Sequence, residues 1–371
     1  MAIPVDPTLI REIKRHGAFD VSACFHCGNC SAVCPLSDAQ GNFPRRMIRL
    51  GQIGDRKRLL DAPDAWLCYY CGECSDTCPR EAGPGEYMAA VRRYAIAQAE
   101  PTGLAQVMYR STGALAILTL LLAIVLGAFL VSIKAPAEAR QWLFRLVPYE
   151  TVHNVGIGVG VLATLAMAAG ATGVLRRFMA GAGRPTGTAV AAALRRTLAE
   201  IATMKRHRNE AASKAGPWSA NAAWIHLAIM YGFGGLLLAT ILDFVFLVIL
   251  PLHLSTFWPA RIIGTLSGAV MMAGVGAAMW RRITRAERSV GQSLAADWWL
   301  VAFLFILGIT GFWVELAVTL RAAGPVQDIV LLIHAAMAME LVLLTAFTKL
   351  AHVVYRPIAL FAYYLRAQDA A

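Results

Sequence analysis

Past Cys78 the 371-residue sequence has no cysteine, a run of 293 residues, and over its whole length only 15% of residues are charged. With 58% apolar residues and a mean hydropathy of +0.56, so little charge excludes a disordered or nucleic-acid-binding chain and is too apolar for an ordinary soluble one. No glycine-rich dinucleotide fingerprint follows a strand pattern, and no flavin-binding segment stands out, so hydride chemistry is not expected of this chain. The first 17 residues carry Asp6, Arg11, Glu12, Lys14 and Arg15 and lack the apolar stretch of a secretory signal. This end is therefore expected in a reducing cytoplasm, where cysteines serve as metal ligands rather than disulfides.

The net charge of +11 is unevenly placed. Up to residue 110 there are 13 Lys and Arg against 12 Asp and Glu; beyond it there are 21 against 11. The excess belongs to the apolar part, where surplus Lys and Arg mark the cytoplasmic loops of a membrane protein rather than a polyanion site.

All eight cysteines fall between residues 24 and 78. Cys24, Cys27, Cys30 and Cys34, followed by Pro35, read C-x2-C-x2-C-x3-C-P, and Cys68, Cys71, Cys74 and Cys78, followed by Pro79, repeat it without insertion. This is the bacterial ferredoxin run, in which the fourth cysteine of each motif ligates the other motif's cluster. Three thiolates on one tight loop hold three corners of a cubane, and the fourth points to its neighbour. The expected ligands are Cys24, Cys27, Cys30 and Cys78 for cluster one, and Cys68, Cys71, Cys74 and Cys34 for cluster two. Structural zinc would use paired C-x2-C knuckles and leave two complete triplets unexplained. His26 lies inside the first motif, where all eight ligand places are filled, so a role beside the cluster is expected of it. Between the motifs, residues 35–67 include FPRRMIRLGQIGDRKRLLDA, with helical apolar spacing and a glycine break. The expected fold is all-α: an α-helical ferredoxin over residues 1–105, closed by a helix near 85–98, then a six-helix transmembrane bundle over 106–371.

The doublet CFHCGNCSAVCP and CYYCGECSDTCP with its helical insert resembles the C subunit of heterodisulfide reductases. Its fusion to an apolar half resembles the membrane subunit of the quinone-interacting membrane-bound oxidoreductase complex. The resemblance implies cytoplasmic flavin and iron–sulfur subunits as neighbours, adenylylsulfate reductase as soluble partner, and menaquinone or ubiquinone in a bacterial inner membrane.

Six stretches reach the ~20 residues needed to cross a bilayer, near 111–133, 151–175, 222–250, 259–280, 295–320 and 328–354. Loops 176–221 and 281–294 carry nine and four Lys or Arg; segments 134–150, 251–258 and 321–327 carry three, none and one. This asymmetry puts the first two loops and both termini in the cytoplasm. Residues 188–212 form a basic amphipathic pattern that suits a surface helix on anionic lipid or against a partner. The tail with Phe361, Tyr363, Tyr364 and Arg366 reads as interfacial.

Of eight histidines, His16 and His207 lie in charged segments and read as solvated. His153, His226, His334 and His352 fall on the expected spans, where an ionisable residue is a functional candidate. His334 and His352 are 18 residues apart, five turns of one helix, which gives one ligand near each membrane face about 27 Å apart. Topology then pairs His226 with His352 near the cytoplasm and His153 with His334 near the outer face, as axial ligands of one or two haems b. The spans also resemble the membrane subunit of respiratory nitrate reductases, whose haems take two ligands from one earlier helix. Here Leu236 stands ten residues beyond His226, so the outer haem needs His153, with His253 as fallback. Glycines 156, 158, 160 and 170 on the second span, and 264, 268, 274 and 276 on the fourth, leave room for a porphyrin or for close helix packing. Glu340, Asp243, His253 and Glu315 are candidates for a proton relay at a quinone site, each with a structural alternative.

Three functions compete. One is an electron conduit from the quinone pool through haem b and two 4Fe-4S clusters to flavin and iron–sulfur subunits in dissimilatory sulfur metabolism. Another is the membrane anchor of a heterodisulfide-reductase-like or other cytoplasmic dehydrogenase. The third is an iron–sulfur sensor on a membrane scaffold, which would bind no haem.

Overall fold

The computed structural model describes residues 4–37, 41–133, 144–180, 183–211, 218, 221–250 and 259–369. Among these residues the chain is helical, with no strand. The helices that place the site are α1 (Leu9–Lys14), α2 (Arg45–Ile53), α3 (Arg56–Asp61), α4 (Pro84–Ala99), α5 (Thr112–Ser132), α6 (Tyr149–Met179), α7 (Gly187–Thr203), α8 (Ala222–Asp243), α9 (Pro259–Ile283), α10 (Ala295–Thr319), α11 (Pro325–Leu343) and α12 (His352–Asp369).

The glycine break in the insert is Gly54, which caps α2 with a φ of 79°. A Cβ there would stand 2.3 Å from the Asp6 carbonyl oxygen, so only glycine lets the N-terminal strap close over the helix. Asp55 then caps α3 through the Arg58 amide at 3.0 Å. Leu9 and Ile13 of α1, Met47 and Ile48 of α2, Leu59 of α3 and Tyr87, Met88 and Tyr94 of α4 share one buried core. The closing helix, expected near 85–98, is α4.

Six helices are long and apolar enough to cross a membrane: Thr112–Ser132, Tyr149–Met179, Ala222–Phe246, Pro259–Ile283, Ala295–Thr319 and Pro325–Ala346. In α5 only 17% of the most apolar window is buried, because Ile117, Leu120, Leu121, Ile124 and Val125 face outward, as they would toward lipid. The protein is a multi-pass membrane protein with an N-terminal iron–sulfur module.

The sixth span differs from expectation. It stops at Ala346 and the chain breaks through two 3-10 turns, Leu344–Ala346 and Lys349–Ala351, before α12 starts at His352. The hydroxyls of Thr345 and Thr348 donate back to the carbonyls of Leu341 and Leu344, at 3.0 and 2.8 Å, and Thr348 itself is extended. Lys349, drawn sideways to Asp297 at 2.7 Å, holds the bend. His334 and His352 therefore sit on different helices, and the five-turn register does not relate them.

In the C-terminal tail Phe361, Tyr363, Tyr364 and Arg366 are half-buried, while the opposite face packs inward. Ala359, Leu360, Ala362 and Leu365 of α12 are buried, with Leu360 inside the core of the iron–sulfur module. Tyr355 and Ala359 join Trp66, Ile96, Met167, Val174 and Phe178 in a second core that binds the module to the end of α6. The basic helix expected at 188–212 is α7, and it packs on α12 of its own chain, burying Ala193, Thr197 and Glu200. The boundary expected at 105/106 falls within the helix Leu104–Arg110, whose Ala105 belongs to that second core while Met108 packs with Leu115 and Leu344.

Candidate functional site

The two cysteine motifs fold alike. His26 and Tyr70, midway between the first two cysteines of each, adopt left-handed conformations with φ of 62° and 61°. Gly28 and Gly72, with φ of 91° and 94°, start the short helices Asn29–Ala32 and Glu73–Asp76. Such alternation curls successive N–H groups toward one point and makes a concave anion-binding nest, the environment a negatively charged cluster needs. The two glycines are legible in the sequence; the left-handed His26 and Tyr70 carry no residue-type signal. His26 meets the Gln52 side chain, whose amide donates to the Cys24 carbonyl at 3.4 Å.

The motifs face each other across the repeat axis, where the Asn29 side chain donates to the Thr77 carbonyl at 2.5 Å. Among the described residues no three His, Cys, Asp or Glu converge closely enough for one metal ion. Thiolates sharing a single zinc would have to, at ~2.3 Å each from the metal. Cys24, Cys27 and Cys78 are in electrostatic range of Cys30, and Cys68, Cys71, Cys34 and Cys30 itself are in range of Cys74, so the two sets adjoin. Burial, reinforced by these neighbours, pushes the Cys30 and Cys74 thiols up. Backbone N–H groups already point at sulfur, Tyr70 to Cys68 Sγ at 3.3 Å and Ala82 to Cys78 Sγ at 3.4 Å. Arg92 donates to the Cys68 carbonyl at 2.8 Å.

On the module side of the bundle, the rings of His226 and His352 stand 6.0 Å apart between centroids, inclined at 73°. His226 enters from the first turns of α8, and His352 opens α12 after the break. The Nδ1 of His352 is occupied by the Lys349 carbonyl at 2.6 Å, which directs Nε2 toward His226. Two metal–nitrogen bonds of ~2.0 Å, plus about 1 Å from each nitrogen to its ring centre, put the centroids of a trans pair ~6 Å apart. At this spacing His226 and His352 would be the residues to hold a metal between their rings, which would supply one-electron redox chemistry there.

The outer pair is not brought into ring contact. His153 bonds the Tyr149 carbonyl through Nδ1 at 2.9 Å and stacks on Phe244 at 5.7 Å. His334 meets the Thr310 hydroxyl at 3.0 Å and packs against Gly311, whose Cβ would stand 3.0 Å from His334 Cε1. The span glycines divide: a Cβ on Gly158, Gly160 or Gly276 would meet nothing within 4 Å, whereas others allow close packing. A Cβ on Gly232 would meet the Met271 backbone at 2.6 Å, one on Gly274 would meet Ile229 at 2.9 Å, and Gly170 makes way for the Tyr355 hydroxyl.

Of the relay candidates, Glu340 is fully buried and neither carboxylate oxygen has a hydrogen-bond partner. Asp243 ends α8 near Tyr149. Glu315 is taken by Arg261 at 2.6 Å, so its structural alternative holds. His253 lies outside the described residues.

Neither histidine expected to be solvated is so. His16 is completely buried against Tyr94 and Tyr109, because α1 turns inward, and burial lowers its pKa. His207 is 7% exposed, stacked on Tyr69 at 4.4 Å and 1°, and burial, with His226, Arg356 and Arg281 nearby, holds its pKa down to about 3. The other neighbour of Tyr69 is Arg356, whose guanidinium carbon lies 3.8 Å from its ring centroid. The Tyr69 hydroxyl donates to Glu200 of α7.

Residues 20–82 match the family model of a 4Fe-4S dicluster domain. Over 82 residues the chain is 37% identical to a protein of Archaeoglobus profundus that is named for its likeness to the C subunit of heterodisulfide reductase. That match covers 22% of this chain and 44% of the relative, so the likeness is confined to the cluster module. No solved structure matches the chain. Residues 20–82 are therefore a 4Fe-4S dicluster domain, similar in sequence to that of the archaeal relative.

Proposed function

We propose that the chain is the electron-transfer subunit joining the membrane quinone pool, through haem b and its two clusters, to cytoplasmic flavin and iron–sulfur subunits. The observation that supports this reading is the His226–His352 pair, whose ring centroids stand 6.0 Å apart. A haem between them and the two cubanes would supply one-electron carriers. The chain's own residues fix the carriers' positions: Lys349 orients the His352 ring, and Leu360 and Tyr355 seat the cluster module on the bundle.

In this reading the clusters are ligated crosswise, by Cys24, Cys27, Cys30 and Cys78 and by Cys68, Cys71, Cys74 and Cys34. The two thiol groups around Cys30 and Cys74 support it. A second haem, held by His153 and His334, is proposed from the order of the spans alone. Glu340, a buried carboxyl without a partner among apolar helices, is the leading proton carrier for quinone chemistry; Asp243 and His253 are second candidates. Membership of a quinone-interacting oxidoreductase of dissimilatory sulfur metabolism, with adenylylsulfate reductase as soluble partner, rests on the resemblance of the whole architecture. The cytoplasmic location of the module and both termini in a bacterial inner membrane rests on the loop charges. A second reading, the anchor of a heterodisulfide-reductase-like complex, is favoured by the relative matched at the cluster module; proteins co-purifying with the full chain separate the two.

The test is haem b and non-haem iron per polypeptide in the detergent-purified protein, for the native chain, His226→Ala and His352→Ala. Bound haem that disappears in both variants while iron stays constant supports the conduit. Iron without any haem in the native chain sinks it and promotes the sensor reading.

A further inference from the structure

Four buried nitrogens without hydrogen-bond partners gather between the second cysteine motif and the histidine pair: Arg206 Nη1, His207 Nδ1, His226 Nδ1 and Arg356 Nη2. Arg356 lies one turn beyond His352 on α12 and within electrostatic range of both His226 and His352. It is held flat on Tyr69, which His207 stacks upon, and Tyr69 is in range of Arg206 and Arg356 together. Arg281 and Arg282 also have a buried nitrogen each without a hydrogen bond, but Arg281 is paired with Glu287 at 2.6 Å and Arg282 donates to the Ala278 carbonyl at 3.0 Å. Lys349 and Arg93 are engaged by Asp297 at 2.7 and 2.5 Å, and Arg92 by the Cys68 carbonyl at 2.8 Å. The Glu200 carboxylate accepts from the Tyr69 hydroxyl and, at 3.3 Å, from the Arg206 backbone N–H.

A guanidinium N–H removed from water and given no acceptor is costly, so such a set marks the seat of an anion. Resting on the haem reading above, we propose that Arg206, His207 and Arg356 receive the two carboxylates of the macrocycle held by His226 and His352. The carboxylate edge then faces Tyr69 and the Cys68 motif, and the face of Tyr69 keeps the Arg356 guanidinium in a fixed plane ready to donate. His207 contributes its Nδ1–H from the opposite side of the same ring. Tyr69 is thus a positioning residue, and the three side chains make a carboxylate-binding site at the junction of module and membrane.

The experiment uses the full chain produced under haem limitation, titrated in detergent with protohaem and with its dimethyl ester, whose carboxylates are blocked. Native protein is expected to bind the free acid at least about tenfold more tightly than the ester, the effect of losing one or more charge-assisted hydrogen bonds. Arg356→Gln and His207→Gln are expected to narrow that preference, while Arg196→Gln, an exposed residue of α7, leaves it unchanged. Cluster EPR signals of native intensity in each variant verify folding. Equal affinity for acid and ester in the native chain overturns the carboxylate site and leaves the histidine pair standing. If neither compound binds, the haem reading falls and this inference with it. Loss of co-purified phospholipid from Arg356→Gln with the acid preference intact would assign the cations to a lipid headgroup and overturn the proposal.

Discussion

Arg93, on the last helix of the cluster module, donates to Asp297 in the first turn of the fifth span at 2.5 Å, across 204 residues of sequence. Lys349 reaches the other oxygen of the same carboxylate at 2.7 Å, and Arg93 also donates to the His16 carbonyl at 2.9 Å. One buried anion therefore joins the module, the bundle and the bend that presents His352.

Asp297→Ala leaves the largely buried Arg93 without a counter-charge and frees the half-exposed Lys349, which costs about 3 kcal/mol. The expected result is a lower unfolding midpoint in detergent and protease cleavage between the module and the first span. An unchanged midpoint would show that apolar docking alone holds the two halves.

Crossed ligation makes a specific demand on cysteine variants. Cys34→Ala is expected to remove the same EPR signal as Cys71→Ala, and Cys78→Ala the same signal as Cys27→Ala, each lowering iron from about eight to about four per chain. Cys34→Ala matching Cys27→Ala instead would mean that each motif ligates its own cluster.

His153→Ala separates one haem from two. A drop from two haems to one, with the His352-dependent spectrum retained, is the expected outcome. Identical haem content in variant and native protein removes the outer site.

Burial lowers the His16 pKa below its ordinary 6.5, so the folded module holds this ring neutral while the unfolded chain protonates it. The stability it contributes is complete above pH 6.5 and is lost as pH falls below that value. Unfolding rates followed by cluster absorbance between about pH 5 and 7.5 should rise on the acid side, and His16→Gln should flatten the dependence.

The cysteine loops and most span limits are legible in spacing and composition, because a repeated C-x2-C-x2-C-x3-C-P and ~20-residue apolar runs each admit few arrangements. The features that are not legible are those set by tertiary partners. Thr345, Thr348 and Lys349 look like helix residues until Asp297 draws the chain sideways. The basic helix α7 and the aromatic tail read as membrane-surface elements because nothing in the sequence matches their apolar faces to each other and to Leu360. His16 and His207 stand among charges in sequence, but short helices turn both rings inward. Topology pairs His226 with His352 by way of a continuous helix that does not exist; the break preserves the depth while discarding the register.

From His352 to Leu360 is eight residues of a single helix that contains Pro357, ~12 Å of backbone. One end of that rod carries a ring of the histidine pair, and the other is embedded among the side chains that support the cysteine loops. In the proposed conduit this helix would set the gap an electron crosses and would make the module a stationary relay. Adding a single residue between the two positions would swing the ends about 100° out of phase and open the circuit at its middle.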